Sequence, residues 1–130
     1  MGISLDLIPT VLTTQTLTRL NIGCGSKQEK TKHWLNCDLY PGPNVDVVFD
    51  ATKQWPFATS TVGEVLAFHV LEHLHEPFPF FKEAWRVLIH GGRMGLRLPY
   101  GPSSAGFSDI THVRSWTPGM FCFVQPKYGE

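Results

Sequence analysis

Excess charge of either sign is absent from this 130-residue chain, in which 11 basic side chains balance 11 acidic ones. Without a net field to gather phosphates or anionic lipid, neither a nucleic-acid partner nor a membrane surface is expected. Cysteine is scarce as well. Cys24, Cys37 and Cys122 are odd in number and lack a C-x-x-C spacing, which argues against a disulfide framework and for a reducing compartment. No apolar run is long enough to cross a bilayer, and the stretch from Met1 to Leu12 has neither the basic start nor the apolar core of a signal peptide. Gly2 follows Met1, but Asp6 stands where N-myristoylation requires Ser or Thr. The chain therefore reads as soluble and cytoplasmic. It also lacks internal repeats and low-complexity tracts, and its length suits one domain with an ordinary core.

One further absence is more informative. Leu20-Asn21-Ile22-Gly23-Cys24-Gly25 is an apolar stretch ending in Gly-x-Gly, but Ser26 follows and the third glycine of a dinucleotide fingerprint is missing. The pattern reads as a buried strand whose carboxyl end lets a ligand approach bare backbone, with no pyrophosphate to cradle. Asp38 follows Gly23 by only 15 positions, against about 20 in the standard fingerprint, so any helix between Gly23 and Lys32 is short.

Four more strands are predicted. Trp34–Leu39 is the second, ended by Tyr40-Pro41-Gly42-Pro43, and Val45–Asp50 is the third, so Asp38 and Asp50 both stand at strand ends. The fourth, Gly63–Phe68, runs into His69-Val70-Leu71-Glu72-His73. Pro77 then opens a helix whose apolar face is Phe78, Phe81, Ala84, Trp85 and Leu88, and Gly91-Gly92 ends it. Arg93–Leu98 is the fifth strand, and Thr117-Pro118 opens a short helix near the end. Residues 1–16, rich in Thr and lacking clean periodicity, read as an N-terminal arm, and 17–130 as the domain.

Connections that are helical or too long for hairpins imply right-handed crossovers and an α/β, mostly parallel, Rossmann-like sheet ordered 3-2-1-4-5. Its switch point between strands one and four places Gly23, Gly25, Asp38, Asp50 and His69 along one rim. At this point the sequence resembles the class I S-adenosylmethionine-dependent methyltransferases, especially a small family with Leu-Asn-Ile-Gly-Cys-Gly and His-Val-Leu-Glu-His motifs. The likeness runs from about Leu20 to Trp116.

The resemblance implies S-adenosylmethionine as cofactor, held by Gly23, Cys24, Gly25, Asp38, Leu39, Asp50, Ala51 and His69. In that reading the glycine turn approaches the methionine part and Asp38 accepts from the ribose hydroxyls. Asp50 and Ala51 border the adenine, and His69 lines the site near the sulfonium. Each has a plainer alternative: a strand-end cap for Asp38, an Asx-turn for Asp50 and a structural role for His69. The acceptor and the catalytic residues are not legible, although His73 and His112 are candidate proton acceptors. The resemblance also implies two further strands that this sequence does not contain. The fifth strand would then be an open edge, and a homodimer is favoured over an N-terminal arm folded along it.

Two other functions compete. His69-x-x-Glu72-His73 matches the H-x-x-E-H spacing of zinc hydrolases, but it leaves a strand, has no distinguished third ligand and meets Pro77 early, so no metal is expected. An inactive or binding-only remnant that keeps a nucleoside pocket is the other.

Overall fold

The computed structural model describes residues 17–25 and 33–124. The expected N-terminal arm and the first crossover after the glycine turn lie outside these residues. Within them, β1 (Thr18–Ile22), β2 (Leu35–Asp38), β3 (Val47–Val48), β4 (Val62–Phe68) and β5 (Leu88–Arg97) form one sheet in the order β3-β2-β1-β4-β5. Every neighbouring pair is parallel, so all carboxyl ends reach the same edge. Among the described residues, no helix is long and apolar enough to cross a membrane.

Side-chain alternation sets the buried face. Leu20 pairs with Val65 and Ile22 with Ala67, and all four are buried, whereas Asn21 and Leu66 alternate to the other side. Helix α1 (Phe78–Val87) contributes Phe80, Phe81, Ala84 and Val87 to the same core. This corrects the expected helix face. Phe78 and Trp85 are 40% and 48% exposed, because the buried stripe is centred on the Phe80–Phe81 pair instead. Trp85 instead donates its indole N–H to the carbonyl of Val124 at 3.3 Å.

The end of α1 is also earlier than the glycines suggest. Leu88 is already extended, with φ −68° and ψ 138°, and its side chain is buried, so the chain passes straight from α1 into β5. Gly91 and Gly92 lie inside β5, where the pairing jumps from Val62–Leu88 to Glu64–Arg93. Gly91 adopts φ +79°, which the bulge requires and a β-carbon would oppose. The third strand is shorter than expected. Asp46 is turned back by its N–H to the Asn36 carbonyl (2.7 Å), while its carboxylate accepts the Asn36 N–H (2.8 Å), leaving Val47 and Val48 as the paired residues.

After β5, Tyr100 makes a parallel bridge to Trp116, helix α2 spans Ser104–Phe107, and a 3₁₀ segment covers Pro118–Val124. Trp116 is 4% exposed and stacks near Phe121, with ring centroids 5.4 Å apart. Trp116 is thus packed into the core while Phe123 is left largely exposed.

A polar clamp ties the β3–β4 connection to α1. Glu83 accepts the Trp55 backbone N–H at 2.7 Å and two Arg86 guanidinium N–H groups at 2.8 and 2.7 Å, and Arg86 also donates to the Trp55 carbonyl. The Arg86 bonds, helped by the Trp55 N–H, hold the Glu83 carboxyl below its ordinary value despite partial burial. A depressed folded-state value means this contribution is present above the unfolded carboxylate pKa and is lost as pH falls through the lowered one. Urea unfolding should show Glu83→Ala less stable by about 2 kcal/mol at neutral pH, the range for charge-assisted bonds, with the difference closing in acid.

Candidate cofactor site

Beyond the carboxyl ends of β1 to β4 lies a cleft of about 310 Å³. Six of the eight residues expected from the sequence line it: Gly23, Asp38, Leu39, Asp50, Ala51 and His69. Cys24 and Gly25 do not. They build the adjoining turn, with Cys24 buried and Gly25 exposed and bonded to Asp38. Ile22, Cys37, Tyr40, Phe49, Val70, His73 and Leu74 complete the lining. Most of these unforeseen residues are sequence neighbours of the foreseen ones, and that adjacency was the available signal.

The glycine turn supplies room more than donors. Gly23 and Cys24 both give their N–H to the carbonyl of Cys37, at 2.8 and 3.1 Å, and Gly25 gives its N–H to Asp38 Oδ2 at 2.8 Å. Gly23 has φ +69°, and a β-carbon there would stand 2.3 Å from Cγ2 of Val70. Cys37 itself is fully buried, and burial pushes its thiol up to about 12. Burial, then the charge of Asp38, also raises Cys24.

Both aspartates are anchored without being used up. Asp38 Oδ1 accepts from the Tyr40 N–H at 3.1 Å, so each of its oxygens holds one backbone bond and keeps a lone pair. The strand-end cap and a ligand-binding role are therefore compatible. Asp50 makes the Asx-turn: its Oδ1 accepts the Thr52 hydroxyl at 2.6 Å and the Thr52 N–H at 2.8 Å. These two bonds hold its carboxyl below the ordinary carboxylate range. Leu39 and Tyr40, 50% and 71% exposed, leave apolar surface bare beside them.

His69 ends β4 in the left-handed region, with φ +57°. Its N–H still donates to the Arg97 carbonyl at 2.8 Å, completing the β4–β5 ladder, while Nδ1 lies 3.3 Å from Oε1 of the buried Glu72. The following turn is a 3₁₀ segment over Leu71–His73 only, and Leu74 is extended again. Thus the helical face that H-x-x-E-H zinc chemistry needs does not form, because His69 precedes the turn in a non-helical conformation. His73 instead meets His112 edge to face, with ring centroids 4.9 Å apart. The two candidate proton acceptors are neighbours despite their separation in the sequence.

A family model described as a methyltransferase domain matches residues 20–96. No curated protein sequence matches the chain. Among solved structures, a Haloferax volcanii complex of the Trm112 methyltransferase activator with a protein assigned as a methyltransferase superposes with TM-score 0.62 at 12% identity. That match covers 84% of this chain and 59% of the other, so the present chain spans under two thirds of that neighbour's length. A Bacillus halodurans protein assigned as a methyltransferase gives 0.65 at 19% identity over 98% of this chain and 68% of its own. A Haemonchus contortus phosphoethanolamine N-methyltransferase, solved with phosphomonomethylethanolamine and S-adenosylhomocysteine, gives 0.63 at 16% identity over 95% and 35%. At these identities the superpositions establish a shared fold.

The turn can be tested directly. Gly25 shares φ +69°, but a β-carbon there meets nothing within 4 Å. Gly25→Ala should therefore cost about 1–2 kcal/mol for the left-handed backbone alone. Gly23→Ala should cost more, because Val70 must also move; urea titration of both variants would expose the reverse order if the cleft wall were soft.

Proposed function

Because the chain belongs to the methyltransferase domain family, whose model spans residues 20–96, we propose that it binds S-adenosylmethionine in this cleft and transfers the methyl group to an acceptor. One observation carries the reading: residues from the ends of four adjacent strands border a single cleft at the point where strand order reverses.

In this reading the free lone pairs of Asp38 accept the two ribose hydroxyls, while its backbone bonds keep the carboxylate oriented. Asp50 Oδ2 accepts the adenine amine, and Leu39, Phe49 and Ala51 cover the base. Gly23 leaves space for the methionine part, with Cys24 and Gly25 shaping the turn and His69 closing the sulfonium end. When bound, the cofactor supplies an electrophilic methyl carbon for in-line displacement. The protein's share is then orientation and exclusion of water, and no dedicated base is required. The balanced charge and three free cysteines support a cytoplasmic setting.

Calorimetry of the intact chain with S-adenosylhomocysteine should show binding, and Asp38→Ala should weaken it by roughly 1–3 kcal/mol. No binding by the intact chain overturns the reading. Binding without transfer of labelled methyl to any metabolite, sugar or peptide acceptor would favour a binding-only protein.

A homodimer is supported by β5, which has no further strand beside it among the described residues. Light scattering at micromolar concentration should give twice 14.6 kDa, and a mass near 14.6 kDa would reject the dimer.

A further inference from the structure

We propose that Glu72, His73 and His112 form a binding site for a divalent first-row transition ion of the Zn²⁺ class, on the rim of the cleft. One donor atom from each of the three lies within 4.8 Å of one from each of the others. Two imidazoles and a carboxylate suit such an ion better than Mg²⁺ or Ca²⁺, which favour all-oxygen surroundings.

The carboxylate is the first argument. Glu72 is 2% exposed; Oε1 has only His69 Nδ1 at 3.3 Å, and Oε2 is buried with no hydrogen-bond partner. A buried carboxylate oxygen left bare is strongly unfavourable unless a cation or donor meets it. A metal ion would fill that need.

The rings supply the second argument, through their tautomers. His73 Nδ1 faces the Thr111 carbonyl at 3.2 Å and Thr111 Oγ1 at 3.1 Å. That hydroxyl gives its own proton to Asp109 Oδ1 at 2.6 Å, so toward His73 it can only accept. Nδ1 of His73 therefore carries the proton. Nδ1 of His112 faces the Gly106 carbonyl at 3.3 Å and must donate as well. In the neutral rings the lone pair is then on Nε2 in both cases, and each ring is oriented by a carbonyl acceptor in the manner of metal-ligating histidines. Asp109 Oδ2, 3.6 Å from Nε2 of His112, adds a second negative charge favourable to a cation.

The backbone holds the set together. Val113 donates its N–H to the carbonyl of Glu72 at 2.8 Å, fastening the loop that carries His112 beside the turn that carries Glu72 and His73. His73 also lines the cleft, so an ion held by three protein ligands would keep a coordination position for solvent beside it.

The test uses the full chain stripped with chelator and titrated with Zn²⁺ by calorimetry, with Co²⁺ absorption as an independent reading of ligand geometry. One equivalent should bind. Glu72→Gln and His112→Ala should each weaken uptake by at least about tenfold. His90→Ala, an exposed histidine on the β5 bulge, should leave it unchanged. Absence of uptake by the parent chain overturns the site, as does uptake that survives both substitutions or is lost with His90→Ala. Circular dichroism checks folding of each variant, and if Glu72→Gln does not fold, His112→Ala decides alone. S-adenosylhomocysteine binding by the metal-free chain is measured separately, so failure of the ion site and failure of the cofactor site remain distinguishable.

Discussion

The carbonyl of Cys37 is the pivot of the cleft. By accepting the N–H groups of Gly23 and Cys24 together, it forces β1 to turn away at the first residue beyond its last pair. A residue with a β-carbon could not follow that path without striking Val70. The turn in turn delivers the Gly25 N–H to Asp38, the residue after Cys37, so a single acceptor both opens the cleft and orients its acidic wall. This pair of hydrogen bonds to one carbonyl fixes where the chain leaves the end of β1 beside the cleft.

The opposite wall is set from farther away. Trp55 gives its indole N–H to the carbonyl of Ala51 at 2.9 Å, and its ring packs against Phe49 and Phe80. The Glu83–Arg86 clamp grips the Trp55 backbone from α1. Core helix, buried indole and the Asp50–Ala51 edge therefore form one mechanical unit, which explains why a loop with little regular structure can present a defined surface to a ligand.

Much of this was legible in the residues. The strand order and the convergence of Gly23, Asp38, Asp50 and His69 followed from apolar runs ending in glycine or aspartate, because a parallel sheet leaves few other placements for them. Local punctuation was less dependable. Gly91-Gly92 is a fair helix stop, but Leu88 had a buried place in the sheet and tertiary burial outweighed the signal. Phe78 and Trp85 fit helical spacing equally well with the true stripe, and only the packing partner distinguishes the two faces. Similarly, the ionisable run from His69 to His73 advertised metal chemistry through its spacing, whereas the companion of Glu72 and His73 is His112, brought there by a backbone bond to Val113 that no local pattern encodes.

The pivot has a chemical consequence of its own. Cys37 does its work through its main chain, while its thiol is sealed in the core and kept protonated far above neutral pH. An oxidant or electrophile needs an accessible thiolate, and at Cys37 it finds neither access nor charge. Cys122, by contrast, lies exposed in the 3₁₀ segment at the other end of the fold. Of the three thiols, an oxidant reaches Cys122 first, at a position remote in sequence from every strand end that shapes the cleft.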